Sequence, residues 1–162
     1  YLSGGVYLGG TGSANKLEDV EEGSFSPVYY NRTTSANLDN TSMSGGDRSQ
    51  MQYTKVNNFV TIVYNFGTTS MNSTATSTDT IGITLPFTVK TQSLANLGAN
   101  SIARYSNWQS GGQPFLLEAQ SGTNIAALKK QDGTAVTVAD MISHTGGSNR
   151  NNVLGTLTFI VA

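Results

Sequence analysis

Residues 51–66 read MQYTKVNNFVTIVYNF, and their patterning decides the fold. From Phe59 onward, one alternate set holds Val60, Ile62, Tyr64 and Phe66, while the other holds Thr61 and Asn65. A period of two is that of a half-buried β-strand, whose successive side chains face opposite ways. Met51 to Val56 forms a second β-like run, and Asn57-Asn58 between them reads as a two-residue hairpin turn. This stretch predicts a hairpin.

Outward from the hairpin the same signal recurs. Ile81, Ile83 and Leu85 alternate with Gly82 and Thr84 and stop at Pro86, as a strand ending at its proline does. Ser24 to Tyr30, Ile102 to Trp108, Phe115 to Gln120, Ile125 to Lys129, Ala135 to Val138 and Val153 to Val161 are further strands. Val136 to Ile142 reads equally as one helical turn, because Val138-Ala139-Asp140-Met141 does not alternate. Thr33 to Ser49 is a polar loop or weak edge, and Gly67 to Asp79 is a Ser/Thr/Asn loop. About eight short strands separated by turn clusters predict an all-β fold, a β-sandwich of jelly-roll type.

Composition agrees with that class. Charged residues make up 12% of the 162, while 18 serines, 21 threonines and 15 asparagines fill the polar positions. Disordered chains are charged and poor in aromatics, whereas here aromatics reach 9%. Threonine suits pleated surfaces, and asparagine and glycine make the turns. A net charge of −1 gives no electrostatic case for nucleic acid or an anionic membrane, and no apolar run is long enough for insertion as a helix. The absence of cysteine excludes disulfides and thiolate metal sites.

At the N-terminal end, Gly4-Gly5 and Gly9-Gly10 flank the apolar Val6-Tyr7-Leu8, a strand too short to bury itself. Residues 1–17 read as the last rung of a β stem. Residues 18–23 read as a charged linker holding Glu18, Asp19, Glu21 and Glu22, and residues 24–162 as the β-sandwich tip. The chain begins at Tyr1 rather than Met and reads as a fragment or processed product.

Catalysis needs converging groups, and few are available. The single histidine, His144, has Asp140 nearby, but no Gly-x-Ser-x-Gly elbow accompanies it. Glu18, Asp19, Glu21 and Glu22 read as a solvated linker, since linker acids rarely meet a rigid substrate cleft; the alternative is the carboxylate pair of a polysaccharide depolymerase. No metal or cofactor motif is present, so no catalytic, metal or cofactor residue is assigned. Binding is easier to host. Trp108, flanked by Asn107 and Gln109, fits sugar recognition, in which a ring stacks on apolar sugar faces while amides bond hydroxyls. The competing reading, favoured by the area an indole buries, is that Trp108 ends a strand and packs in the core or a subunit contact. Tyr105, Asn72, His144 and Asn149 complete the candidate receptor contacts, on loops Ser106 to Pro114, Thr68 to Asp79 and His144 to Asn152.

Several pieces fall into a familiar order. Gly10 to Pro27, which ends Lys16-Leu17-Glu18-Asp19-Val20-Glu21-Glu22-Gly23-Ser24-Phe25-Ser26-Pro27, resembles the (K)LDDYEEGTWTP junction before the distal domain of many bacteriophage tail fibres. Met51 to Ile62 is similar to the same family's GRYTKIGNLVTV hairpin, and Ile81 to Phe87 to its LxISGLPF strand. Gly155 to Ala162 looks like its closing strand. Val20 stands in place of the family's aromatic, Phe25 of its tryptophan, and Gln52 of its arginine. The resemblance implies a homotrimer at the tip of a virion's tail fibre, joined to upstream fibre proteins. It also implies contact with a host surface polysaccharide or outer-membrane protein. Receptor residues in such tips lie on variable loops, so the resemblance assigns none here. The alternative is a capsid-attached fibre or decoration protein without a receptor.

Overall fold

The computed structural model describes residues 6–7, 16–17, 20–38, 41–43, 51–71, 73–92, 96–145 and 150–162. Among these residues there are thirteen strands: β1 (Val6–Tyr7), β2 (Lys16–Leu17), β3 (Val20–Phe25), β4 (Tyr29–Asn31), β5 (Ala36–Asn37), β6 (Thr41–Met43), β7 (Met51–Val56), β8 (Phe59–Met71), β9 (Ile81–Thr84), β10 (Asn96–Ser106), β11 (Leu116–Gln120), β12 (Ile125–Lys129) and β13 (Arg150–Ile160). The protein is all-β. Val138–Asp140 forms a single 3-10 turn, as the non-alternating sequence there allows. Among the described residues no helix is long and apolar enough to cross a membrane.

Among the described residues β1 and β2 pair only with each other, Val6 opposite Leu17. The other strands build one curled antiparallel sheet in the order β3-β7-β8-β13-β10-β11-β12-β9-β4-β5, with β6 added against the far end of β8. The predicted hairpin is β7–β8, with Val56 opposite Phe59. Asn57 sits at φ 53°, the left-handed conformation that asparagine tolerates better than most residues. Val60, Ile62, Tyr64 and Phe66 are all fully buried. Each such side chain contributes about 1.5–3 kcal/mol relative to an exposed one.

The curl originates at β10. Asn100 and Ser101 pair with Leu117 and Leu116 of β11, whereas Ile102 to Ser106 pair with β13, across a register shift between Ile102 and Arg104. An irregularity of this kind bends a strand and increases its twist. The sheet therefore turns back over its own inner face. Tyr29 of β4 meets Phe66 of β8 edge-on, 5.5 Å between ring centres, although five strands separate β4 and β8 along the sheet.

The outer face of β3, β7, β8 and β13 carries three rows in register. Val20, Val56, Phe59 and Ile160 form an apolar row; Glu22, Thr54, Thr61 and Thr158 form the next; Ser24, Gln52, Val63 and Thr156 form the third. Thr61 and Thr158 hydroxyls bond at 3.0 Å, one use of the abundant threonine. Glu22 is the only charge in these rows. Val20, Phe59 and Val63 are each more than half exposed, so the face is open.

Three expectations need correction. Residues Val20 to Gly23, read as linker, belong to β3, with Val20 to Phe25 paired to Val56 to Met51. Gly23 lies against the Tyr53 ring, and Tyr53 Oη donates to Glu21 Oε1 at 2.6 Å. An acid with a cross-strand partner reads as linker in composition alone. Gly67 to Met71, read as loop, continues β8, because Thr68 is buried and its hydroxyl donates to the Arg150 carbonyl. Ser24 to Tyr30 is broken at Ser26–Val28 into two strands of different neighbours. Of the stretch Thr33 to Ser49, residues 39–40 and 44–49 lie outside the described ones; the rest holds the short strands β5 and β6, in keeping with a weak edge.

Burial raises the pKa of both Tyr29 and Tyr64 well above the ordinary phenol value. Each ring holds its proton more tightly folded than unfolded. Their contribution is therefore complete below the unfolded phenol pKa of about 10 and is lost as pH rises above it. We expect stability to fall above about pH 10 by up to roughly 1.4 kcal/mol per pH unit for each of the two. Urea titrations at stepped pH test this; the slope should drop in Tyr64→Phe.

Candidate functional site

Among the described residues, a concavity with binding chemistry lies where β10 ends and the β12 turn begins. Its walls come from Tyr105, Gly111, Gln113, Pro114, Phe115, Lys130, Gln131 and Asp132, and it encloses about 320 Å³. Tyr105 is 48% and Phe115 41% exposed, two large rings that water reaches although the core is close by.

Local sequence builds each wall. Lys130-Gln131-Asp132-Gly133-Thr134 is a tight turn in which Gly133 takes φ 81° and its N–H donates to the Lys130 carbonyl. Asp132 Oδ1 accepts from the Thr134 N–H at 2.9 Å and from its hydroxyl at 2.6 Å. Those bonds hold the Asp132 carboxyl below the usual carboxylate range, so it stays an acceptor. The opposite wall is clamped by Asp140. Its Oδ1 takes Lys130 Nζ at 2.8 Å, its Oδ2 takes the Thr137 N–H and hydroxyl, and its carbonyl takes the Gln109 N–H. Gly112 lies so close that a Cβ there would come within 2.6 Å of Asp140 Cβ. Only glycine lets the loop seat on this turn.

The candidates from sequence separate. Tyr105 lines the concavity. Asn107 and Gln109 are exposed beside it, but Asn107 takes φ 59° and its carbonyl accepts the Asn151 N–H, a structural part. Trp108 is not a stacking platform. It is 7% exposed within the core, and its Nε1 donates to the Asn152 carbonyl at 3.0 Å. The core reading of Trp108 prevails because an indole buried with a satisfied N–H stabilises more than an exposed one. His144 pairs through its backbone with Met71, its Nδ1 lies 3.2 Å from the Ile142 carbonyl, and its Nε2 is buried. Asp140 faces Lys130 and Thr137, so the two do not form a catalytic pair. Asn72 and Asn149 lie outside the described residues.

Sequence reasoning missed Phe115, Gln131 and Asp132, while Gln113 lies on the candidate loop Ser106 to Pro114 without having been singled out. The Asp132-Gly133 dipeptide, a turn signal between two apolar runs, marked where one wall would stand. Among the acids, Glu21 and Glu22 point to opposite faces of β3, and Glu18 and Asp19 lie outside the described residues. Among the described residues no group of three metal-ligating side chains converges. Chemically, two rings offer apolar faces while Gln113, Gln131, Asp132 and Lys130 offer both donors and acceptors. That combination suits a polyhydroxylated ligand. No protein-family model, curated protein or solved structure matches the chain.

Proposed function

We propose that the chain is the distal receptor-binding tip of a bacteriophage tail fibre, attaching the virion to a host surface glycan. The observation that carries the reading is the Tyr105–Phe115 concavity, whose exposed rings and amides are the elements of saccharide recognition. The ordered junction, hairpin and strand motifs give the phage assignment its support. In this reading the curled sheet is a sandwich, one layer centred on β8 and β13 and the other on β11, β12 and β9, with β10 passing between them.

The tip assembles as a trimer. The open face supports this, since its Val20–Val56–Phe59–Ile160 row is apolar and the face as a whole, with Glu22 its one charge, does little to repel a second copy. Three weak sites on one particle then act together through avidity.

The test combines sedimentation with binding to a host polysaccharide array. The chain should sediment as a trimer, and Phe59→Asp should shift it to monomer. Phe115→Ala should weaken array binding at least tenfold while leaving the trimer intact. A trimer that binds no host surface component would instead favour a capsid fibre or decoration protein and remove the receptor reading.

A further inference from the structure

A second concavity of different chemistry lies at the other end of β11 and β12, on the outer face. It encloses about 260 Å³ between Tyr30, Arg32, Ser35, Gln120 and Asn124. Its distinguishing group is Arg32. The Arg32 stem crosses Gly82, where a Cβ would strike the Ala126 carbonyl and come within 3.0 Å of Arg32 Cδ. A side chain at position 82 would block that path.

The guanidinium reaches Gln120, Nη2 donating to Oε1 at 3.0 Å, and Gln120 Nε2 in turn donates to Glu118 Oε1 at 2.9 Å. A guanidinium has five N–H donors. Among the described residues this one has a single acceptor, and it is half-buried, which lowers its pKa against the opposing pull of Glu118. Its other N–H groups remain open to the concavity, where an anion would meet charged donors already held in place.

The segment bearing Arg32 is held in place. Its N–H donates to the Thr80 carbonyl at 2.8 Å. The preceding Asn31 is buried; its Oδ1 accepts from Thr33 and Thr34 N–H, and its Nδ2 donates to Asp79 Oδ2 at 2.9 Å. Ser35 ends the turn at φ 57°. The guanidinium is thus presented before any ligand arrives, which reduces the entropy lost on binding.

We propose that this concavity binds the carboxylate of an acidic sugar. Arg32 takes the carboxylate as a bidentate, charge-assisted pair, and the sugar ring lies beside Tyr30 within reach of the Ser35 hydroxyl and Asn124 amide. A single carboxylate fits better than a phosphate dianion. Arg32 is the only cation among the described residues lining the concavity, and Glu118, behind Gln120, offsets part of its field. The saccharide part rests on the proposed glycan-binding function, while the carboxylate part rests on Arg32 alone.

The experiment is an NMR titration of the 162-residue chain with glucuronate, glucose and inorganic phosphate. Glucuronate should shift the amides of Arg32, Gln120 and Asn124, and glucose at the same concentration should not. Arg32→Gln should weaken glucuronate binding at least tenfold, and Arg32→Lys should restore only part, because an ammonium lacks the planar fork. Arg104→Gln, which removes a cation from the opposite end of the β10–β11 pair, should change nothing. Spectra of each variant without ligand report that it is folded. Equal shifts by glucose, tighter binding of phosphate, or wild-type affinity in Arg32→Gln would each overturn the proposal. Array binding through Phe115 with no glucuronate response leaves the proposed function standing and removes this site. Glucuronate binding at Arg32 by a chain that binds no host glycan keeps the site and removes the function.

Discussion

Asn151→Ala should destabilise the domain by about 3–4 kcal/mol, the largest loss we expect from one polar side chain. Asn151 is fully buried and joins four segments. Its N–H donates to the Asn107 carbonyl, and its own carbonyl accepts the Tyr29 hydroxyl at 2.8 Å. Its Oδ1 accepts the Ile142 N–H at 2.8 Å, while its Nδ2 donates to the Ile142 carbonyl and the Thr68 hydroxyl. Alanine would leave the Ile142 N–H without its partner and take a donor from the buried Thr68 hydroxyl, at about 1–3 kcal/mol for each unmet group, while the Ile142 carbonyl keeps only His144 Nδ1, 3.2 Å away. It would also occupy φ 51°, which costs a further increment of about 1 kcal/mol. Asn151→Gly removes the strain but not the unmet groups, so it should fall between wild type and alanine. Urea denaturation measures the order. A loss below about 1 kcal/mol in Asn151→Ala would remove this residue from its central role.

The second large effect runs against the usual trend. Glycine inside a strand weakens it, so alanine there normally stabilises. Gly155→Ala should instead cost about 2–3 kcal/mol, as overpacking does. Gly155 lies directly opposite Tyr64, and a Cβ there would stand 2.5 Å from Tyr64 Oη and 2.8 Å from its Cζ. The ring is fully buried between Gly155 and Phe66, 5.8 Å away, and has little freedom to retreat. In a Tyr64→Ala background the same substitution should cost less than about 1 kcal/mol, because the clash is gone. Equal penalties in both backgrounds would show that the tyrosine is not the cause.

Strand identity was legible wherever the period-two pattern was long and one-sided. Val60 to Phe66 declared its buried face, and Ile125 to Lys129 is β12 to the residue. What escaped was set by partners distant in sequence. The acids of β3 resemble a linker until Tyr53 and Lys55 stand opposite Glu21. Trp108 looks like a ligand platform until the Asn152 carbonyl, 44 residues away, receives its N–H. The candidate site shows the same limit. Tyr105 was nameable as a loop-edge aromatic, but Phe115 joins it only because β10 passes from β11 to β13. A pattern local in sequence carries burial well and juxtaposition poorly.

The central place of β13 has a consequence for how the molecule comes to be. The strand fills the gap between β8 and β10, so residues 150–160 must find partners at 59–68 and 102–106 before the core can close. Until it arrives, the inward residues of β8 and β10 lack their neighbour. Pairings this distant make folding slow, on the millisecond-to-second scale typical of non-local β topologies. During that interval the chain is a set of apolar hairpins with open edges, and a low charge offers little to keep two such chains apart. The domain's most vulnerable moment is therefore its assembly, and a helper that shields β8 until β13 docks would raise the yield of native protein without altering its final stability.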